Sequence, residues 1–115
     1  MFTTVFIGLS LVTVEAAGRT FPPLPVATVA DGKHLGPRAQ ITGLVTYTKK
    51  EDDFDYHFRV ADPNDTNKWV VCEIIPELSM EYPKVGQKVI VWGIVRHDGI
   101  HKWWELHPVI GWKVQ

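Results

Sequence analysis

The chain has 115 residues, 45% of them hydrophobic, which suffices for one domain with a real core and not for two. Twelve Lys and Arg stand against 13 Asp and Glu, a formal net charge of −1, so the basic excess of a protein that grips nucleic acid mainly through phosphates is missing. The single cysteine, Cys72, excludes an internal disulfide and offers no metal motif by itself; it falls in an apolar run and is expected to be a small core residue.

Residues 1–17 open with an apolar run over 5–14, followed by Glu15-Ala16-Ala17-Gly18. This resembles the core and cleavage region of a secretory signal, although no positive charge precedes it. The run is too short to span a bilayer, so no stable membrane insertion of the mature domain is expected. The expected compartment is secreted or periplasmic. The alternative is an apolar arm packed on the domain, which would leave the protein cytoplasmic. Residues 18–37, with Phe21-Pro22-Pro23-Leu24-Pro25 and a Gly- and Pro-bearing patch, show neither helical nor strand period and are expected to form an extended lead-in.

From Arg38 the pattern changes. Ala39, Ile41, Val45 and Tyr47 alternate with Gln40, Thr42, Thr46 and Thr48, which predicts a first strand, and Gly43 within it suggests a bulge or bend. Lys49 to Asp53 reads as a charged turn. Tyr56, Phe58 and Val60 mark a second strand, Asp62-Pro63-Asn64-Asp65 a turn, and residues 69–75 a third strand. Residues 76–87 carry two prolines and a glycine, with room for one helical turn around 77–81. A fourth strand over 89–96 contains Gly93. Asp98-Gly99 signals a hairpin, and a fifth strand runs over 102–109 or on to 112.

Three strands, a short helix or loop, then two strands is the arrangement of an all-β, five-stranded OB-type Greek-key barrel, here over residues 38–115. Two motifs add a resemblance. Lys50-Glu51-Asp52-Asp53-Phe54-Asp55-Tyr56-His57 and Trp104-Glu105-Leu106-His107-Pro108-Val109 resemble paired segments of a poorly characterised group of small bacterial proteins. Those carry Asp-Gly-Asp-x-His and a terminal Glu-(Leu/Ile)-His-Pro-Val. Phe54 stands where that group usually has glycine. The resemblance implies an OB fold and carries no activity with it.

Strand alternation sorts the side chains. With Phe58, Val60, Val70, Cys72, Ile74, Trp104 and Leu106 inward, one outer face of the second, third and fifth strands collects His57, Arg59, Trp69, Glu73, Trp103, Glu105 and His107. Arg59, Trp69 and Trp103 suit a stacking platform for bases or another extended polar oligomer. Lys49 and Lys50 in the first turn, with Arg96, His97, His101 and Lys102 around the last, would supply positive charge in the loops that OB folds use to clasp ligands. His57, Glu73, Glu105 and His107 form either a hydrogen-bonded lattice or a metal site. Their spacing names no metal, so neither metal nor other cofactor is assigned. Asp53, Asp55, Arg59 and Asp62 are similar in kind to the acidic and arginine residues of thermonuclease-type enzymes, but a second placed arginine and a separate general base are lacking. The expected function is therefore a non-catalytic binding module for single-stranded nucleic acid or another polar oligomer such as an oligosaccharide. A secreted OB protein for a small cationic or metal ligand, and a weak phosphodiesterase, are the alternatives. Oligomeric state is not legible.

Overall fold

The computed structural model describes residues 13–16, 18–34 and 36–115. The expected signal or arm over 1–17 lies largely outside these residues. Its last described part forms β1 (Val14–Ala16), which pairs antiparallel with β2 (Arg19–Phe21). Among the described residues no helix is long and apolar enough to cross a membrane.

The barrel consists of β3 (Arg38–Lys50), β4 (Tyr56–Asp62), β5 (Asp65–Ile74), β6 (Lys88–Asp98) and β7 (Trp103–Val114). It closes in the order β3-β4-β5-β7-β6, with β6 returning to β3. All pairs are antiparallel except β5–β7, which is parallel. This is the OB-type Greek-key barrel that the strand pattern predicts. Its centre is filled by the inward series, with Ile41, Phe58, Val60, Val70, Cys72, Val91, Leu106 and Val109 buried.

The lead-in departs from the expected extended form. Val26–Ala30 folds into a single short helix, α1, which packs against β3, β4, β5 and β7. Val26 and Val29, one turn apart, are buried in the barrel core, and Phe21 just upstream is 1% exposed. Five residues cannot hold a helix by propensity alone, so tertiary burial creates this element and no periodicity announces it. The expected helical turn after β5 is correspondingly slight, a single 3₁₀ turn over Pro76–Leu78.

Two irregularities in β3 decide what faces the site. Gly43 does not bulge; a Cβ there would run into the Ala61 carbonyl of β4, so glycine permits close strand approach. The register slips instead between Val45 and Tyr47, while Val45 stays in the core. Tyr47 is thereby turned outward, 40% exposed, against the strict alternation that groups it with Val45. β3 also continues through Lys49 and Lys50, so the first turn begins at Glu51. In β6 the register does shift at Gly93.

Candidate functional site

The outer face of β4, β5 and β7 carries the side chains that alternation assigns to it. His57 lies directly opposite Glu73, and Arg59, Val71, Glu105 and Arg96 form one row across four strands. The face is not a solvent surface. Val71 is fully buried on it, His57 is 6% exposed, Glu73 7% and Glu105 2%. A polar and aromatic layer covers the sheet in two unlike regions, joined by a smaller hollow of about 240 Å³ where Arg59, Tyr47 and Trp103 meet Glu51, His57, Glu73 and Glu105.

On one side lies a groove of about 400 Å³ lined by Arg59, Asn67, Lys68, Trp69, Lys102, Trp103 and Trp104, with His101 and the end of α1 at Ala30 and Asp31. Trp69 and Trp103 meet edge to face at 5.5 Å. The Arg59 guanidinium sits 4.3 Å from the Trp69 ring centre, 5.6 Å from Trp103 and 4.8 Å from Tyr47. His101 stacks on Trp103 at 4.4 Å. Lys68 reaches Asp31 at 2.6 Å, tying α1 to the start of β5, and this partner raises the Lys68 pKa. Gly32 lies against the Trp104 indole, where a Cβ would collide.

On the other side lies an open cleft of about 410 Å³ whose lining includes seven carboxylates, from Glu51, Asp52, Asp53, Asp55, Glu73, Asp98 and Glu105, beside Arg96, His101 and His107. His57 Nδ1 bonds Glu73 Oε1 at 2.9 Å and lies 3.3 Å from Glu51 Oε1. Glu105 accepts from Arg96 Nε and Nη2 at 3.2 and 3.0 Å and from the Trp103 indole N–H at 2.9 Å, with His107 Nδ1 3.6 Å away. Burial pushes the Glu105 pKa upward, but the neighbouring His107 ring, the indole N–H and the Arg96 charge outweigh it and hold the carboxyl below its ordinary value. Asp55 moves the other way, raised first by burial and then by the negative charge of Asp53 and Glu73. Asp98 accepts from the His101 ring and from two turn amides, which lowers its pKa to about 2.

The predicted binding set is thus split. Arg59, Trp69, Trp103 and Lys102 share the groove. Arg96 is paired with Glu105 in the acidic cleft. Lys49 lies 3.7 Å from Glu51, and Lys50 reaches over Tyr82, so neither adds charge to the groove. The predicted His and Glu set also divides, His57 with Glu73 and Glu105 with His107. Of the thermonuclease-like residues, Asp53 and Asp55 line the cleft and Arg59 the groove, while Asp62 caps the turn at the opposite end of β4. Sequence reasoning missed Tyr47 as a site residue, hidden by the bulge. It also missed Lys68, which precedes the apolar run of β5, and the groove-lining role of Trp104, which packs against the core as expected and lines the groove as well. Glu51 passed as a solvated turn residue.

Compared with known proteins, the sequence matches no protein-family model and no curated relative.

Proposed function

We propose that this protein is an OB-fold binding domain for single-stranded nucleic acid, held along the groove beside Trp69 and Trp103 without turnover. The observation that carries the reading is the groove's composition. Three tryptophans line one channel with Arg59 and Lys102, beside the Lys68–Asp31 ion pair, on the strand face that OB folds present to oligomers. Aromatic rings accept any base, at about 1–3 kcal/mol per stacked base, and the cations meet the backbone. The acidic cleft, which meets the groove at His101, repels phosphates and confines a strand to the groove.

The test is fluorescence titration with oligo(dT) of about 12 nucleotides, within the site size of one OB fold. Binding should quench tryptophan emission. With Arg59 and Lys102 engaged, log K against log salt should fall with a slope of about −1.4. Trp69→Ala should weaken binding by roughly 5- to 150-fold, the equivalent of one lost stacking contact. Lys102→Asn is the gentler probe. Lys102 has φ 60°, a left-handed conformation that asparagine tolerates well, so lost affinity there cannot be blamed on the turn. Absence of quenching by any DNA or RNA strand at low salt overturns the reading. Salt-insensitive binding of a neutral oligosaccharide in its place would redirect it to sugars.

A further inference from the structure

We propose that Glu51, His57 and Glu73 form a binding site for a divalent transition-metal ion of the Zn²⁺ or Mn²⁺ class. The proposal does not rest on the nucleic-acid reading. It begins with the connection between β3 and β4, which turns on a Glu51 N–H to Asp55 carbonyl bond of 2.8 Å and brings the Glu51 carboxylate back over β4. There it meets the directly opposed pair His57 and Glu73. One donor atom from each of the three residues lies within 4.8 Å of the other two.

Hydrogen bonding within the trio leaves it incomplete. One ring nitrogen, His57 Nδ1, is the shared neighbour of two carboxylate oxygens, at 2.9 Å and 3.3 Å. A single N–H serves one acceptor well. Glu73 Oε2 and His57 Nε2 are both buried without a hydrogen-bond partner, and Glu73 is 7% exposed while lining the acidic cleft. A buried carboxylate oxygen without a partner costs free energy that a cation would recover. The ring itself is held between Tyr47 and Trp103, T-shaped to both, so the imidazole is already oriented.

The donor set selects the class of ion. Imidazole nitrogen with two carboxylate oxygens suits Zn²⁺ or Mn²⁺, whereas Ca²⁺ and Mg²⁺ favour all-oxygen shells. The side open to the cleft leaves room for water on the ion, and the surrounding Asp and Glu side chains attract it. Lys49, 3.7 Å from Glu51, is more than half exposed and free to swing into solvent.

Calorimetric titration of the EDTA-stripped full chain decides the matter, with Zn²⁺ and Mn²⁺ run beside Mg²⁺ and Ca²⁺. About one ion per chain should bind, with Zn²⁺ or Mn²⁺ at least roughly tenfold tighter than the other two. A hundredfold excess over Kd should raise the melting temperature by about 10 °C. His57→Ala should abolish binding. Because that variant also empties a buried position, Glu51→Gln is the second probe; it lies in the connection, should keep the metal-free melting temperature, and should weaken binding about tenfold or more. Three results each overturn the proposal: no saturable binding below millimolar ion, Mg²⁺ or Ca²⁺ binding as tightly, or Glu51→Gln binding like wild type. Loss of binding in His107→Ala with Glu51→Gln unaffected would be the third result in its sharpest form, moving the ligands to Glu105 and His107.

Discussion

Groove and cleft share one lining residue, His101, and two strands, β5 and β7, yet they have opposite charge. The strands supply residues to both regions without regard to sign, Arg59 and Glu73 among them. The cleft's sign comes largely from the connections. Glu51, Asp52, Asp53 and Asp55 leave β3 for β4 on the cleft side, and Asp98 closes the turn before β7. Lys68 and Lys102 flank the groove, at the start of β5 and the end of that same turn. A small barrel can thus present two chemically unlike sites a single side chain apart, its scaffold fixed and its loops free to choose.

Glu105 is the residue on which that separation turns, because it accepts from Trp103 on the groove side and from Arg96 on the cleft side. Glu105→Ala should cost about 2–4 kcal/mol, the range for losing charge-assisted hydrogen bonds at a buried carboxylate. Thermal denaturation should register this as a drop of about 10 °C or more. The same variant should broaden the indole resonance of Trp103 in NMR and weaken groove and cleft ligands together. If only one region responds, the two are less joined than the hydrogen bonds imply.

A smaller change sharpens the contrast from the cleft side alone. Phe54, 65% exposed, holds φ 70° in the turn that carries the acidic residues. A left-handed backbone costs a non-glycine residue about 1–2 kcal/mol, and glycine adds back part of that as unfolded-state entropy. Phe54→Gly should therefore stabilise by up to about 1 kcal/mol in chemical denaturation, with oligonucleotide affinity unchanged. Destabilisation would show that the phenyl ring holds the turn by contact.

The smallest effect is in acid. The folded pKa of Asp98, about 2, lies below the ordinary 3.8, so its contribution is present above pH 3.8 and is lost as pH falls through about 2. NMR titration should place its midpoint near 2 and return it toward 3.8 in His101→Ala. Protonation of Asp98 over that range removes negative charge from the cleft, whose lining it shares. An unmoved midpoint in His101→Ala would assign the depression to the turn amides.

Alternation of two was enough to read the five barrel strands, the inward series through Phe58, Cys72 and Leu106, and the sharing of one face by Arg59, Trp69 and Trp103. It failed where the local rule is broken or absent. A register slip rotated Tyr47 to the other side. α1 is too short to carry a period and exists because Val26 and Val29 are buried. The division of Lys49, Lys50 and Arg96 from the groove depends on the partner each one meets, Glu51, the Tyr82 ring and Glu105, and the alternation along one strand holds no information about such partners.

The parallel seam between β5 and β7 is short, with only Val71 opposite Glu105 and Cys72 opposite Leu106, whereas β6 and β7 are paired almost end to end. A barrel breathes first along its least-zipped edge. A strand lying in the groove touches Trp69 on β5 and Trp103 on β7 and so rivets that edge. An ion held by Glu51, His57 and Glu73 stands wholly on the β4–β5 side and leaves it free. Amide exchange at Val71 and Cys72 would then tell the two ligands apart, slowed by the one that crosses the seam and indifferent to the other.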